Sequence, residues 1–181
     1  MSGAHGHIDP SNKKVALLIA VLALVLAFSE TLGKAAQTSA LGSNIEASNL
    51  WAFFQAKTIR QTTLRAAAEQ TAIAASGDAA KEQIEAWRKT AERYQSEPET
   101  GEGRNELAAR AKDAESRRDR ALAAYHHYEL ASAAVQIAIV LASAAIITSA
   151  MALVWIGIGL GAIGVVFCLI GFFAPTAIHL F

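Results

Sequence analysis

A chain of 181 residues has room for one membrane unit and one modest further domain, but not for two catalytic domains. Apolar residues make up 53% and charged residues 18%, on the apolar side of the soluble norms of roughly 45–50% and about 25%. The 16 basic and 16 acidic residues cancel, so the basic excess of a nucleic-acid groove is missing, and the single cysteine, Cys168, has no intrachain disulfide partner.

In chain order, residues 1–12 form a polar lead with His5, His7, Asp9 and Pro10, and Ser11 or Asn12 is placed to cap a helix that starts at Lys13. Residues 13–33 read as the first span. Lys13-Lys14 and the apolar run to Ala27, with small residues Val25 and Ala27, also have the form of a secretory signal; we read the segment as a retained span or signal anchor. Its apolar part is short, so Lys13-Lys14 and Ser29-Glu30-Thr31 are expected in the headgroup zones, with lysine snorkelling. Gly33 is the first candidate break.

From Lys34 to Ala75 the chain is rich in helix formers and has no proline. Gly42-Ser43 is a second candidate break, Leu41, Ile45, Ala52 and Ile59 give an imperfect apolar stripe, and Leu50, Trp51, Phe53 and Phe54 cluster. Ser76-Gly77-Asp78 ends this helix and starts the next, since Gly suits a left-handed C-terminal cap and Asp an N-cap. Ala80, Ile84, Trp87, Ala91 and Tyr94 then recur in the 4-3 spacing of a coiled-coil seam. Pro98, Gly101 and Gly103 predict a loop over 96–103, after which a long helix from Arg104 turns Leu107, Ala111, Ala114, Ala121 and Tyr125 to one side.

The ascending arm from Glu30 to Ala75 is roughly 70 Å as helix, and the pieces Asp78–Gln95 and Arg104–Glu129 sum to nearly the same rise. The lengths predict one antiparallel hairpin over 34–129, with its tip at 76–78 and the loop 96–103 interrupting the returning arm. Trp51, Phe54, Ile84, Trp87 and Tyr94 are the expected hairpin interface. The alternative, a compact three-helix bundle, would leave the chain at the wrong end unless the loop 96–103 spanned the bundle, so the hairpin is the simpler reading.

No Asp, Glu, Lys or Arg occurs from Leu130 to Phe173. A helix of that length is roughly 66 Å, about twice the hydrocarbon thickness, so it must fold into two spans. We place them at 130–149 and 151–174, with the turn at the polar pair Thr148-Ser149 and a tail over 175–181. The fold class is an all-α integral membrane protein: three transmembrane helices, with a long extramembrane helical hairpin or coiled coil between spans one and two.

The last span contains Gly159-Leu160-Gly161-Ala162-Ile163-Gly164, a literal G-x-G-x-x-G. A dinucleotide site needs this motif between a strand and a helix N-terminus, not inside an apolar span. We read Gly157, Gly161, Gly164, Cys168 and Gly171 instead as a small-residue groove, matched by Ala134, Ala138, Ala142 and Ala145 on the second span. Such grooves serve close helix packing within or between protomers, and hence oligomerisation. Glu30 is expected at the interface and Gln136 in a buried interhelical hydrogen bond. His5 and His7 lie across the bilayer from His126, His127 and His179, a poor metal ligand set. The aromatic cluster, with Tyr125 and Tyr128, is weighed as a ligand cage against a helix interface, which we favour. With no nucleophile–base pair, phosphate loop or paired carboxylates, we expect no enzyme, no cofactor and no metal.

The stretch Ser48-Asn49-Leu50-Trp51-Ala52-Phe53-Phe54-Gln55-Ala56-Lys57-Thr58-Ile59-Arg60 resembles a segment of a family of uncharacterised bacterial membrane proteins, known as a domain of unknown function. Its pattern is an N-terminal span, a W-A-[YF]-[YF]-Q-A-K-[ST]-I-[KR] helix, a charged helical region and paired C-terminal spans. The resemblance implies three spans and a bacterial inner membrane; it carries no activity, ligand or catalytic residue.

The expected function is structural: a homo-oligomeric scaffold whose partners are the lipid bilayer, further copies of itself and a protein at the hairpin, with no nucleic acid. The competing reading is a small channel or an accessory subunit of a transporter or larger membrane complex. Arg110, Lys112, Arg117, Arg118 and Arg120 outweigh Lys13-Lys14, which places the hairpin in the cytoplasm.

Overall fold

The structure, a computed structural model, describes residues 10–178. The expectations for the lead up to Asp9, including His5 and His7, and for His179 fall outside the described residues. Four helices follow in order: α1 (Pro10–Ala74), α2 (Asp78–Gln95), α3 (Arg104–Thr148) and α4 (Met151–Phe173), with no strand among the described residues. Of these, α1, α3 and α4 are long and apolar enough to cross a membrane. By internal contacts the chain forms two units. One joins the chain up to Ala40 with the chain from Asp119 onward; the other is Leu41–Arg118.

Helix α1 begins at Pro10, three residues before the expected start, because proline fits a first helical turn. It runs unbroken through both Gly33 and Gly42-Ser43. Gly33 serves a different purpose from the expected break. A Cβ there would come within 3.3 Å of the Tyr128 Cβ, so the missing side chain lets α3 approach.

In the unit Leu41–Arg118, α2 and the first part of α3 return alongside α1. Glu46 pairs with Arg117 at 2.6 Å, Trp51 Nε1 donates to Glu115 at 2.9 Å, and Gln61 Nε2 donates to the Ala91 carbonyl at 2.8 Å. Numbers rise on α1 as they fall on its partners, so the pairing is antiparallel. The α1 residues turned inward are Ser43, Ala47, Leu50, Phe54, Lys57, Gln61, Leu64 and Ala68, alternating four and three apart. Ala47 and Leu50 form a core with Leu107, Ala111 and Ala114, against which Trp51 and Phe54 pack. On α2, Ile84 and Ala91 are buried and Ala80, Trp87 and Tyr94 half-buried.

The stripe expected on α1 is elsewhere. Leu41, Ile45 and Ile59 are 60%, 52% and 67% exposed, and Ala52 is exposed too. The inward seam is made of alanine, serine, lysine and glutamine as much as of leucine, so hydropathy picked the outward face.

In the other unit, steric fit takes over. The inward row of α3 is Ala131, Val135, Ala138, Ala142 and Ala145. Ala134 lies beside this row and is half-buried. On α4, Gly157, Gly161, Gly164 and Gly171 are the buried residues. A Cβ on Gly157 would meet the Ala138 carbonyl oxygen at 3.1 Å, and one on Gly164 the Ala131 carbonyl oxygen at 3.0 Å. Gly161 faces α1, where its Cβ would meet Leu22 Cδ2 at 2.5 Å. Close backbone approach of this kind is the main source of packing energy in lipid, where apolar burial drives nothing. The α3–α4 turn is tight, with Ser149 held at a φ of 56°.

The glycines divide into two kinds, which gives a direct test. Gly164→Leu should destabilise the chain by about 1–3 kcal/mol through overpacking. Gly159 has open space around it, so Gly159→Ala should leave stability at or slightly above wild type. Thermal denaturation of both variants in one detergent checks the contrast.

Candidate functional site

The aromatic cluster on α1 surrounds cations of its own chain. Lys57 is only 6% exposed, and its Nζ lies 5.3 Å from the Phe53 ring centre and 5.1 Å from that of Tyr94. Its counter-charges are Glu97 at 3.9 Å and Glu102 at 3.7 Å. One turn away, the Arg104 guanidinium stacks 4.9 Å above Phe54 and donates through Nη1 to Gln61 Oε1 at 2.6 Å and Gln95 Oε1 at 3.0 Å. Trp51 meets Phe54 edge-on, with ring centres 5.4 Å apart. Of the residues expected at the interface, Trp51, Phe54 and Tyr94 are joined in this network, while Ile84 and Trp87 lie farther along α2. The space a ligand cage would need is filled by Lys57 and Arg104.

Loop 96–103 is closed by Glu106, three residues into α3 from Gly103. Its carboxylate accepts from Ser96 Oγ at 2.6 Å and from the Glu97 amide at 3.2 Å, so an acid in the first turn of α3 ties the far end of the loop to its near end. A Cβ on Gly103 would collide with the Glu106 carboxylate and the Glu97 amide, so glycine is required there. The Ser96 hydrogen bond above all, with backbone amides, holds the Glu106 pKa below its ordinary 4.5. A lowered carboxyl stabilises the fold above its unfolded value and loses that contribution as pH falls through the folded one. The contribution of Glu106 to loop closure is therefore expected to be present at neutral pH and to be lost as pH falls below the ordinary carboxyl range. The protection factor of the Glu97 amide, with the intrinsic exchange rate divided out, should fall on the acid side in wild type and fall less in Glu106→Gln.

A second cluster lies within the unit that carries the apolar helices. A recess of about 450 Å³ between α1 and α3 is lined by Ser29, Glu30, Gly33, Lys34, Gln37, Tyr125, Tyr128, Glu129, Ser132, Ala133 and Gln136. Gln136 Nε2 donates to Glu30 Oε1 at 3.2 Å. Both residues are exposed, so the expected interhelical bond forms at the surface rather than in a buried position. Ser29 is fully buried and its Oγ has no partner. Sequence reading missed this site because Glu30 and Gln136 stand 106 residues apart.

The two adjacent histidines are engaged separately. His126 Nδ1 lies 3.7 Å from Glu129, whereas the buried His127 donates from Nε2 to the Pro175 carbonyl at 3.1 Å and stacks on Phe167. Among the described residues no group of three or more His, Cys, Asp or Glu side chains is arranged to hold a metal ion.

These features define an all-α chain with three helices long and apolar enough to cross a membrane. The chain belongs to the family described as Domain of unknown function (DUF4337), whose model matches residues 11–174. No curated protein and no solved structure matches the chain.

Proposed function

We propose that this protein is a non-enzymatic scaffold of the bacterial inner membrane that assembles with further copies of itself through an extramembrane, coiled-coil-like hairpin. The observation that carries the reading is the outward face of α1 within Leu41–Arg118. Ile45, Ala52, Ile59, Ala66 and Ile73 recur every seven residues, and all are exposed. Of the flanking outward positions, Ser48, Asn49, Gln55, Ala56, Thr62, Thr63 and Gln70 are uncharged and exposed as well, and Glu69 carries the one charge. A solvated helix face is ordinarily charged, as the exposed Lys81, Glu82, Glu85, Arg88, Lys89 and Glu92 of α2 are.

A charged partner surface would be left unpaired against such a face, whereas a second α1 matches it. Copies inserted the same way in one bilayer run parallel, so the isoleucines meet their own equivalents across a symmetry axis. The competing channel reading needs an aqueous path past Glu30 and Gln136, and their hydrogen bond to each other favours the scaffold.

The native mass of the full chain in nanodiscs should correspond to a multimer, and Ile59→Glu should reduce it to the protomer. A wild-type monomer, or an Ile59→Glu multimer, overturns the reading.

The reading puts the hairpin in the cytoplasm, and the basic residues Arg110, Lys112, Arg117, Arg118 and Arg120 support that orientation. Glu99→Cys in a Cys168→Ser background should resist an impermeant thiol reagent in intact cells and react after lysis; labelling of intact cells reverses the assignment.

A further inference from the structure

The polar recess between α1 and α3 has an address and a charge pattern that together specify a ligand class. Glu30 follows the apolar run Val15–Phe28 with only Ser29 between them, and Glu129 directly precedes the apolar stretch from Leu130. Both ends therefore fall at headgroup depth, where polar side chains meet lipid rather than bulk water. Glu30 and Lys34 are four apart on α1, acid before base, the arrangement that ordinarily closes an intrahelical ion pair. Here it stays open, because the Glu30 carboxylate is drawn across to Gln136 at 3.2 Å. Lys34 lines the same recess and has no ion pair among the described residues. An anionic and a cationic group thus stand on successive turns of one helix face without closing on each other.

We propose that this recess binds the headgroup of a phosphatidylethanolamine-class lipid from the surrounding leaflet. The primary ammonium donates to the free Glu30 oxygen and lies against the tyrosine rings that line the recess, a favourable setting for a cation. The phosphodiester pairs with Lys34. The buried Ser29 hydroxyl, without a partner inside the protein, lies at the recess wall. The order of the charges selects the headgroup: phosphatidylglycerol brings no ammonium to Glu30, and phosphatidylcholine brings one without N–H donors. With Glu30 and Glu129 against Lys34, the recess also disfavours a purely anionic head.

The test is native mass spectrometry of the detergent-purified full chain titrated with phosphatidylethanolamine, phosphatidylcholine, phosphatidylglycerol and, separately, soluble phosphoethanolamine. Phosphatidylethanolamine is expected to bind saturably and at least ten-fold more tightly than the other three. Glu30→Gln and Lys34→Gln should each weaken it at least ten-fold, with far-UV circular dichroism unchanged, whereas Lys89→Gln on α2 should have no effect. Equal affinity for phosphatidylglycerol or phosphatidylcholine overturns the headgroup assignment. Equal affinity for soluble phosphoethanolamine overturns the lipid source, and full binding by both recess variants overturns the site.

Discussion

A lysine ammonium held between two aromatic rings fixes the pairing of helices in Leu41–Arg118. Removing a cation from water costs several kcal/mol unless charge and polarisable surface replace the lost hydration. Phe53 and Tyr94 supply the surface, and Glu97 and Glu102 the charge. Those acids sit on the loop between α2 and α3, so satisfying Lys57 requires the loop to fold onto α1, and Glu106 secures it there. The rest of this seam cannot set register by itself. Ala47, Ala68, Ala91, Ala111 and Ala114 are buried but nearly interchangeable, and sliding one past another changes little. The Lys57 and Arg104 networks break that degeneracy, as single polar groups do in coiled-coil seams. Alanine sets the distance between helices and the cations set which turn meets which.

The unit with the apolar helices meets the same need by shape. Lipid tails are as apolar as leucine, so helices gain by close packing rather than by leaving water. Gly157 and Gly164 admit α3 carbonyl oxygens to near contact, and Gly161 admits Leu22 from α1. Each of these glycines therefore specifies a neighbour. Gly171, which faces His127 and Tyr128, extends the same fit towards the border of the span. Outward residues such as Val140, Trp155, Val166 and Phe173 remain exposed and large, as a lipid-facing surface requires.

Much of this was legible in the sequence, and the failures have a common cause. The stripe Ala80–Ile84–Trp87–Ala91–Tyr94 was readable because its apolar residues are also its inward ones, and the glycine row of α4 because small residues stand out among valine and isoleucine. The inward face of α1 was not readable. Its seam includes the polar Ser43, Lys57 and Gln61, and the partners that satisfy Lys57 and Gln61, among them Tyr94, Gln95 and Arg104, come from elsewhere in the chain. Hydropathy therefore chose Leu41, Ile45 and Ile59, which face outward. Ala134 was read for Ala131 because α3 carries alanine on more than one face, and only the burial of Ala131 and its contact with Gly164 tell them apart. The recess between α1 and α3 was invisible for another reason: its charges are ordinary one by one, and only the packing shows that Glu30 and Lys34 stay apart.

The outward row of α1 has a further property that a merely solvated surface would not need. A straight helix has 3.6 residues per turn, so a feature repeated every seven residues drifts by about 20° per repeat unless the helix supercoils. Along Leu41–Arg118 the inward seam keeps its 4-3 alternation from Ser43 to Ala68, which ties α1 to the seven-residue period. Ile45, Ala52, Ile59, Ala66 and Ile73 follow that same period and therefore stay opposite the seam along the whole stretch. Water has no use for a row of constant azimuth, and an irregular scatter of polar residues would solvate the helix equally well. A second helix does use it, because side chains that hold one direction can mesh with a neighbour turn after turn. The period of the exposed residues, more than their hydrophobicity, is what favours a helical partner on that face.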